Sequence, residues 1–278
     1  MKLSQQLVET WIKTINKGTF QARDVWLDLG IESPEARQHL RVILLRSEEK
    51  RLIVKASANG HYRIVDDELK PIDWQAADTT NVIPLLLPFT IHKYAKFYPK
   101  SIIIVAGEKN AGKTGFLYET IKLNMDTFKV VLYNSETGKE QMKERFEPLN
   151  IPEPAPFAAY ERYDHFADVI DPEALSVIDY LDLDSEFYLA GAEINEMFKK
   201  LTTGSCIIGM QKPPGRDLAI GGLSTQKRSN LYVTLGGGIC KLVHVKNPAI
   251  KGVNPNNKQW KYRFDQNGYF CGIEDYHG

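Results

Sequence analysis

The chain has little cysteine and no long apolar run. Its 278 residues include three cysteines, which are widely spaced and form no Cys-x-x-Cys pair. This pattern is typical of reduced thiols in a cytoplasmic protein and does not fit a disulfide framework. No stretch approaches the ~18 apolar residues of a membrane span, and polar residues interrupt the start of the chain before the core of a secretion signal forms. We therefore expect a cytoplasmic protein without membrane partners.

One long segment lacks acidic residues, although the formal net charge of the whole chain is zero. Residues 218–264 contain eight lysines and arginines and no acid, whereas residues 161–196 contain eleven acids and one basic residue, Arg162. Such segregation favours head-to-tail contact between subunits, or a polyanion along the basic segment. The hydrophobic fraction of 43% is otherwise that of a globular protein, and the length suits one large or two ordinary domains.

A phosphate-binding motif follows a short β-branched apolar run that is typical of a buried strand. Residues 107–114 read GEKNAGKT and match G-x-x-x-x-G-K-[ST] at every position. The backbone N–H groups of such a loop form an anion nest, Lys113 would reach the β- and γ-phosphates, and Thr114 would hold Mg²⁺. The sequence therefore predicts binding of ATP and Mg²⁺. The predicted nucleotide-binding residues are Gly107, Glu108, Lys109, Asn110, Ala111, Gly112, Lys113, Thr114 and Gly115.

Strand-like and helix-like segments alternate from residue 99 onward, which predicts an α/β sheet with its ligand site at the carboxyl ends of the strands. Three predicted strands are closed by Glu136, Asp179 and Gln211. Asp179 would hold the metal together with the Thr114 hydroxyl. Glu136 would orient and deprotonate the attacking water. Gln211 would contact the γ-phosphate and report its loss to the loop that follows.

Each of these residues has an alternative role at this stage. Asp179 would also suit the cap of the following helix, and Asp182 and Asp184 compete with it as metal ligands. Glu136 would also suit a solvated acid at a helix start. A glutamine at a strand end, as at position 211, is not specific by itself.

Residues 1–65 show a separate pattern of three helical segments and then two strand-like segments around Asn59-Gly60. This order resembles a winged helix-turn-helix, a family that binds duplex DNA through its third helix and its hairpin. With eleven basic and seven acidic residues, the segment is only mildly basic, so a role as a protein–protein adaptor stays open. The resemblance implies DNA contact by Arg37, Gln38, Arg41, Lys55, His61 and Arg63.

Two segments connect this module to the α/β region, and together they make up residues 66–98. Residues 66–81 are acidic and polar, which predicts a linker. Residues 82–89, VIPLLLPF, are apolar, and their two prolines exclude a regular helix. We expect them to form a strap over this domain or over a neighbouring subunit. No regular element is predicted between the proline-rich loop at 152–156 and residue 174.

The ordered set of motifs resembles the RecA-like ATPases and is close to the ATPase domains of DnaB-type replicative helicases. VVLYNSETGKEQMKERF is similar to their strand that ends in a catalytic glutamate, SVIDYLDL to their Walker B strand, and CIIGMQ to their glutamine sensor. VHVKNP resembles the late strand that sends a basic finger to the neighbouring subunit, and Lys246 is the matching position. That family usually has an arginine soon after this lysine, whereas Pro248 and Ala249 follow here, so Arg228 competes for the role.

The resemblance covers about residues 99–265, and residues 99–278 are expected to form one domain. It implies a RecA-like, mostly parallel sheet with flanking helices, preceded by the small winged-helix domain. The catalytic set that it implies comprises Lys113, Glu136, Gln211 and Lys246. Because the N-terminal module is not a helical collar, the combination looks like an ATPase encoded by a phage or a mobile element.

The function expected from this sequence is that of a DNA-dependent ATPase in replication or recombination, as a helicase, loader or strand-annealing protein. It would assemble head to tail as a ring or filament. The winged helix would bind duplex DNA, and the loop after Gln211 and the basic C-terminal segment would bind a single strand. In that segment Trp260 and Tyr262 either stack on bases or pack in the core of a hairpin.

Two other classes of protein remain as alternatives. One is an ATP-gated DNA-binding regulator in which nucleotide controls assembly, although a switch does not need a base such as Glu136. The other is a metabolic P-loop kinase. It ranks last, because the sequence shows no acceptor site.

Overall fold

The chain is described by a computed structural model in which five ranges are defined. These are residues 3–14, 18–56, 60–67, 69–181 and 189–277. They form two compact units, Met1–Ala77 and Asp78–Gly278. Asn59, Asp182 and Asp184 lie outside the described residues.

The first unit contains three helices and a three-stranded antiparallel sheet of order β1-β3-β2. Its elements are α1 (Gln5–Thr14), β1 (Thr19–Gln21), α2 (Ala22–Asp28), α3 (Pro34–Glu49), β2 (Ile53–Lys55) and β3 (His61–Ile64). Three helices followed by a strand pair is the expected order. β1 was not expected, because three residues are too short to show an alternating pattern. The assignment of this unit as a winged helix stays a prediction.

Local sequence explains how α3 begins. The Ser33 hydroxyl accepts a hydrogen bond from the Ala36 N–H at 3.1 Å, and Pro34 is the first helical residue. The hydroxyl satisfies a donor that the first turn leaves free, and proline fixes the backbone angle that the helix needs. Leu40 and Ile43 then point into a core that α1 and β3 also line.

The second unit is an α/β fold built on one nine-stranded sheet of order β12-β11-β10-β9-β4-β8-β7-β5-β6. The strands are β4 (Ile102–Gly107), β5 (Val130–Asn134), β6 (Phe157–Glu161), β7 (Leu175–Asp179), β8 (Ser205–Gln211), β9 (Leu231–Gly236), β10 (Ile239–Val245), β11 (Gln259–Phe264) and β12 (Phe270–Tyr276). Strands β6, β5, β7, β8, β4 and β9 are parallel, and β10, β11 and β12 continue antiparallel from β9. The predicted α/β class and mostly parallel sheet are confirmed.

Helices flank this sheet on both faces. They are α4 (Lys113–Asn124), α5 (Lys139–Phe146), α6 (Phe166–Val169), α7 (Ala190–Lys200) and α8 (Leu223–Gln226). Side chains alternate between the faces of a strand, so Ile103 and Val105 of β4 pack with α4 while Ile102 and Ile104 pack with α7. The central strand β4 is buried along its whole length, which is why it reads as a continuous apolar run.

The apolar segment before the sheet packs on its own unit. Leu85, Leu87 and Phe89 are buried in the same core cluster as α4. The Asn124 side chain brackets the backbone of Leu86, accepting from its N–H at 3.0 Å and donating to its carbonyl at 2.7 Å. The segment therefore packs on its own unit, and its role as a strap stays a prediction.

Two elements were missed by the sequence analysis. β6 and α6 lie where no regular structure was expected. β6 is the edge strand of the sheet beside β5 and is partly to fully exposed, so it lacks the apolar alternation of a half-buried strand. α6 has only four residues, too few to show a helical period. Among the described ranges, no helix combines the length and the apolar character that crossing a membrane requires.

Candidate nucleotide-binding site

The predicted phosphate loop joins the central strand to a helix. β4 ends at Gly107, and α4 begins at Lys113. Gly112 has a φ of +88°, in the left-handed region that favours glycine, and a Cβ atom there would lie 2.8 Å from the Phe264 ring. A Cβ atom on Gly107 would overlap the side chain of Lys113. Both glycines of the motif are therefore required by the shape of the loop.

Lys113 is buried and holds the inner side of this loop. Its Nζ atom donates to the carbonyls of Gly107 at 3.3 Å and Glu108 at 3.1 Å, and to Oε1 of Gln211 at 2.9 Å. The parallel register of β4 and β8 places Gln211 directly beside Gly107. Burial lowers the pKa of the Lys113 ammonium from its ordinary value, and two nearby carboxylates oppose that shift.

Those carboxylates, Glu136 and Asp179, share the hydroxyl of Thr114. Thr114 Oγ1 lies 3.2 Å from Glu136 Oε2 and 3.3 Å from Asp179 Oδ1. Burial, and then the charge of Glu136, raise the pKa of Asp179 to about 7. The structure thus brings together four residues that the sequence predicted separately, Thr114 and Lys113 from the loop and Glu136 and Asp179 from two strand ends.

Asp179 has the features of a metal ligand. Its Oδ2 atom is buried and has no hydrogen-bond partner among the described residues, which is costly for a carboxylate unless a cation satisfies it. Within the described ranges, no group of three or more His, Cys, Asp or Glu is placed to hold a metal alone. Mg²⁺ bound with a nucleotide needs fewer protein ligands, because phosphates and water complete its shell. The Asp179 carboxylate and the Thr114 hydroxyl therefore fit Mg²⁺.

The two residues before Glu136 fix its position, and neither role was predicted from the sequence. The Ser135 hydroxyl donates to the carbonyl of Tyr180 at 2.7 Å, and the Ser135 N–H donates to the carbonyl of Asp179 at 2.9 Å. The Asn134 side chain accepts from the Thr137 N–H at 3.3 Å. The Ser135 bonds tie the end of β5 to the end of β7, and the Asn134 bond spans the turn that contains Glu136. The sequence gives no signal for this positioning role, because Asn and Ser are common turn residues at the ends of strands. The role is evident only from their hydrogen-bond partners in the structure.

The C-terminal hairpin, formed by β11 and β12, is one wall of the same site. This position of the hairpin was not predicted from the sequence. The Tyr262 hydroxyl donates to the carbonyl of Ala111 at 2.8 Å, and the Tyr269 hydroxyl donates to the carbonyl of Arg145. A cavity of about 330 Å³ lies between the hairpin and α4. It is lined by Asn110, Gly112, Lys113, Thr114, Gly115, Tyr118, Glu136, Arg145, Phe264, Asn267, Gly268 and Tyr269. Its size is that of a small-molecule site.

The hairpin aromatics settle one of the open alternatives. Trp260 and Tyr262 are buried, and their rings lie 6.1 Å and 5.6 Å from that of Phe89 in the strap. Base stacking by these two residues was therefore the wrong alternative. The hairpin sequence alternates in the same way whether its aromatic residues stack on bases or pack in a core. Their contacts with Phe89 of the strap show that they pack in the core.

The residues predicted to contact duplex DNA lie on α3, β2 and β3. Gln38 and Arg41 are exposed on α3. Arg37 stacks on the Trp26 ring at 4.7 Å. Lys55 Nζ lies 3.6 Å from a Glu48 carboxylate oxygen, and Arg63 donates to the carbonyl of Ile64 at 3.1 Å. Lys55 pairs in register with Tyr62, next to Arg63. DNA contact by Arg37, Gln38, Arg41, Lys55 and Arg63 stays a prediction.

Lys246 lies far from the phosphate loop of its own chain. It follows β10, which is antiparallel to β9, so Val245 pairs with Leu231 at the edge of the sheet where β4 begins. Lys246 is exposed there. The competing residue Arg228 donates to Asn195 Oδ1 at 2.8 Å and lies over the Phe198 ring. The structure therefore does not bring Lys246 to the other four site residues within one chain.

Comparison with known proteins yields little beyond this geometry. No protein-family model matches the sequence, and no curated protein matches it. Among solved structures, the chain is similar to a crystal structure of the RadB recombinase, with a TM-score of 0.44 and 16% identity over 65% of this chain and 93% of that one. A similarity at this level carries no argument about function. The fold and the site define an α/β protein with a phosphate-loop turn at the carboxyl edge of its sheet.

Proposed function

We propose that this chain is a RecA-like, DNA-dependent ATPase that acts in DNA replication or recombination. One observation carries the proposal: Lys113, Thr114, Glu136, Asp179 and Gln211 meet at the carboxyl edge of the sheet, with separations of 2.9–3.3 Å between their bonded polar atoms. A cation, a hydroxyl, a buried acid and an exposed acid are the groups that phosphoryl transfer to water requires.

Binding of the triphosphate would use the loop and its lysine. The backbone N–H groups at the end of the loop, where α4 begins at Lys113, would bind phosphate oxygens, because the helix dipole favours negative charge there. Lys113 would exchange its contacts with the loop carbonyls for the β- and γ-phosphate oxygens. Thr114 and Asp179 would hold Mg²⁺, which supplies charge stabilisation at the phosphates.

Glu136 would take the proton of the attacking water. Its side chain is exposed and borders the cavity, so both water and substrate reach it. The bonds of Ser135 to the end of β7 support this role, because they hold the adjacent Glu136 near Thr114 and Asp179. Once Lys113 leaves its amide oxygen, Gln211 would be free to turn and donate from its side-chain NH2 group to the γ-phosphate.

The base and ribose would lie against the C-terminal hairpin. The cavity continues from the phosphate loop to Asn267 and Gly268. Arg145 also lines it, and its guanidinium has no ion pair or hydrogen bond with any residue in the described ranges. A cation with free donors in a nucleotide cavity suits the ligand's phosphate or base edge.

The proposals for DNA binding and for subunit assembly are based on how charge is distributed along the chain. The acid-rich segment 161–196 includes β7 and begins at the end of the edge strand β6, whereas the acid-free segment 218–264 includes β9, β10 and β11 toward the opposite edge. A head-to-tail arrangement would bring the two together, with Lys246 entering the site of a neighbour. The loop after Gln211 would contact a single strand, and α3 with β2 and β3 would contact duplex DNA.

ATP turnover with and without DNA tests this function. We expect hydrolysis that requires Mg²⁺ and rises several-fold with single- or double-stranded DNA, and no hydrolysis by the Lys113→Ala protein. Tight ATP binding with DNA-dependent assembly and no turnover would favour the ATP-gated regulator instead. Turnover that ignores DNA and needs a small-molecule acceptor would indicate a kinase.

A further inference from the structure

A second lysine lies next to the phosphate loop, and no motif marks it. Lys212 follows Gln211 at the end of β8 and is only 5% exposed. Its Nζ atom lies 2.8 Å from Oε1 of Glu108, the second residue of the loop motif. The same Oε1 atom accepts from the N–H of Gly215 at 3.3 Å. One carboxylate of the phosphate loop therefore holds both a buried ammonium and the backbone of loop 212–222.

Backbone contacts reinforce this pair. The Lys212 N–H donates to the carbonyl of Gly107 at 3.0 Å, and the Glu108 N–H donates to the carbonyl of Leu235 at 3.1 Å. The carboxylate is packed so closely against Gly236 that a Cβ atom there would lie 2.5 Å from Oε1. The ion pair to Lys212 also holds the pKa of Glu108 below its ordinary value. Glu108 is thus held by Lys212, Gly215 and Leu235. None of these three residues lines the nucleotide cavity.

The contacts of Glu108 with Lys212 and Gly215 lie outside the nucleotide cavity, next to the loop residues that a nucleotide would displace. Lys113 donates to the carbonyls of Gly107 and Glu108 and to Gln211. When phosphates take the Lys113 ammonium, those carbonyls lose a charged donor and the loop readjusts. Because the Glu108 side chain is bonded to Lys212 and Gly215, a shift of the phosphate loop displaces the start of loop 212–222 as well.

We infer that Glu108 and Lys212 are positioning residues that transmit occupancy of the phosphate loop to loop 212–222. The inference rests on the proposed function for the nature of the ligand, ATP, and names a connection within that same site. It is separate from the role of Gln211, which would sense the γ-phosphate directly. Glu108 and Lys212 respond instead to the position of the loop backbone.

The same loop offers a matched control. Asp217 forms an ion pair with Lys241 Nζ at 2.7 Å, which ties the middle of loop 212–222 to β10 and not to the phosphate loop. Asp217→Asn therefore removes an ion pair from the loop without touching the connection. Lys212→Met removes the connection and keeps the length of the side chain. Lys212→Arg keeps the charge and serves as a rescue variant.

Hydrogen exchange of loop 212–222, measured with and without a non-hydrolysable ATP analogue and Mg²⁺, tests the inference. In the unsubstituted protein we expect nucleotide to change the exchange rate of the loop amides by at least about 5-fold. Lys212→Met is expected to reduce that change to less than about 2-fold while its affinity for the analogue stays within ~3-fold. Asp217→Asn and Lys212→Arg should respond like the unsubstituted protein.

The outcomes separate the two proposals. If the unsubstituted protein binds no ATP analogue, the proposed function fails. If it binds the analogue but the loop does not respond, or if Lys212→Met responds fully, the transmission by Glu108 and Lys212 is overturned. Should Lys212→Met fail to fold, Glu108→Ala replaces it and is measured at saturating analogue, where a difference in affinity does not alter the response; a full response of loop 212–222 in that variant would also overturn the transmission.

Discussion

Lys113 Nζ and Gln211 Oε1 are hydrogen-bonded at 2.9 Å, so the cation of the phosphate loop directly contacts the polar residue that ends β8. The bond exists because β4 and β8 are parallel neighbours in register at Gly107 and Gln211. A triphosphate that attracts Lys113 competes with this amide. Nucleotide binding and release of Gln211 are therefore expected to be one event.

Lys113→Ala should abolish nucleotide binding. Losing a charge-assisted contact to phosphate costs roughly 2 kcal/mol or more, which is about 30-fold or more in affinity. Titration with a fluorescent ATP analogue measures this. Lys143→Ala is the matched control, because Lys143 is an exposed lysine of α5 that does not line the cavity. Equal affinity of the Lys113→Ala and unsubstituted proteins would mean that phosphate binds elsewhere.

Glu136→Gln should bind ATP and hydrolyse it about 100-fold more slowly, because the amide keeps the shape of the side chain and cannot accept the proton. Single-turnover phosphate release and analogue binding separate the two effects. Glu140→Gln, an exposed acid on α5, should leave both unchanged. Turnover of Glu136→Gln within a few-fold of normal would place the base elsewhere.

Lys246→Ala should keep ATP binding and lose hydrolysis if Lys246 enters a neighbour's site. Because Lys246 lies at the edge of the sheet away from its own phosphate loop, only another subunit would receive it. Mixing Lys246→Ala with Lys113→Ala should then restore part of the turnover, since each subunit supplies what the other lacks. Inactive mixtures, together with a protein that stays monomeric in ATP, would rule out the shared site.

A chain of residues 78–278 should fold and bind ATP while binding duplex DNA more weakly. Among the described residues, the apolar core of residues 8–62 is built from side chains of the first unit, and the two cores of the sheet are built from side chains of the second. Each unit therefore buries its own apolar surface. Circular dichroism, analogue binding and a DNA mobility shift measure the three properties. Loss of ATP binding on deletion would show that the first unit contributes to the site.

Glu119 should make stability depend on pH near neutrality. Burial raises the pKa of this α4 carboxyl from its ordinary value of 4.5 to about 7, against an opposing hydrogen bond from the Phe270 N–H. A folded-state pKa above the unfolded one gives stability that is full below pH 4.5 and lost as pH rises through 7. Relative to Glu119→Gln, the unsubstituted protein should therefore lose on the order of 1–2 kcal/mol between pH 5 and 8, since water at the partly exposed carboxyl screens part of the burial cost.

Urea unfolding of the two proteins across this pH range measures the difference. Glu147→Gln, an exposed acid beyond α5, should follow the unsubstituted protein at every pH. Parallel curves for Glu119→Gln and the unsubstituted protein would show that Glu119 keeps its ordinary pKa in the folded state.

The sequence predicted those parts of the site that local chemistry determines. Gly107 and Lys113 belong to one continuous motif. Asp179 and Gln211 were predicted because each ends an apolar run, and parallel strands bring such ends to one edge. The fold class alone therefore predicted that Asp179 and Gln211 lie at the same edge of the sheet, before any contact between side chains was known.

The missed parts depend on neighbours that are distant in sequence. Ser135 and Lys212 are common residue types at strand ends, and only their partners, Tyr180 and Glu108, give them a role. β6 was missed because an exposed edge strand has no apolar period to read. The basic finger at Lys246 was assigned by resemblance, and within one chain the structure places it away from the phosphate loop.

The bond from Tyr262 to Ala111 spans 151 positions of the chain, and this affects the order of events during synthesis. A ribosome completes the phosphate loop long before it makes β11 and β12, so for most of translation the loop has no hairpin against Gly112. Such distant pairings form late, because the intervening chain must first be ordered. We expect the nascent chain to acquire ATP affinity only after the hairpin has emerged, so that nucleotide binding marks a chain whose second unit is complete.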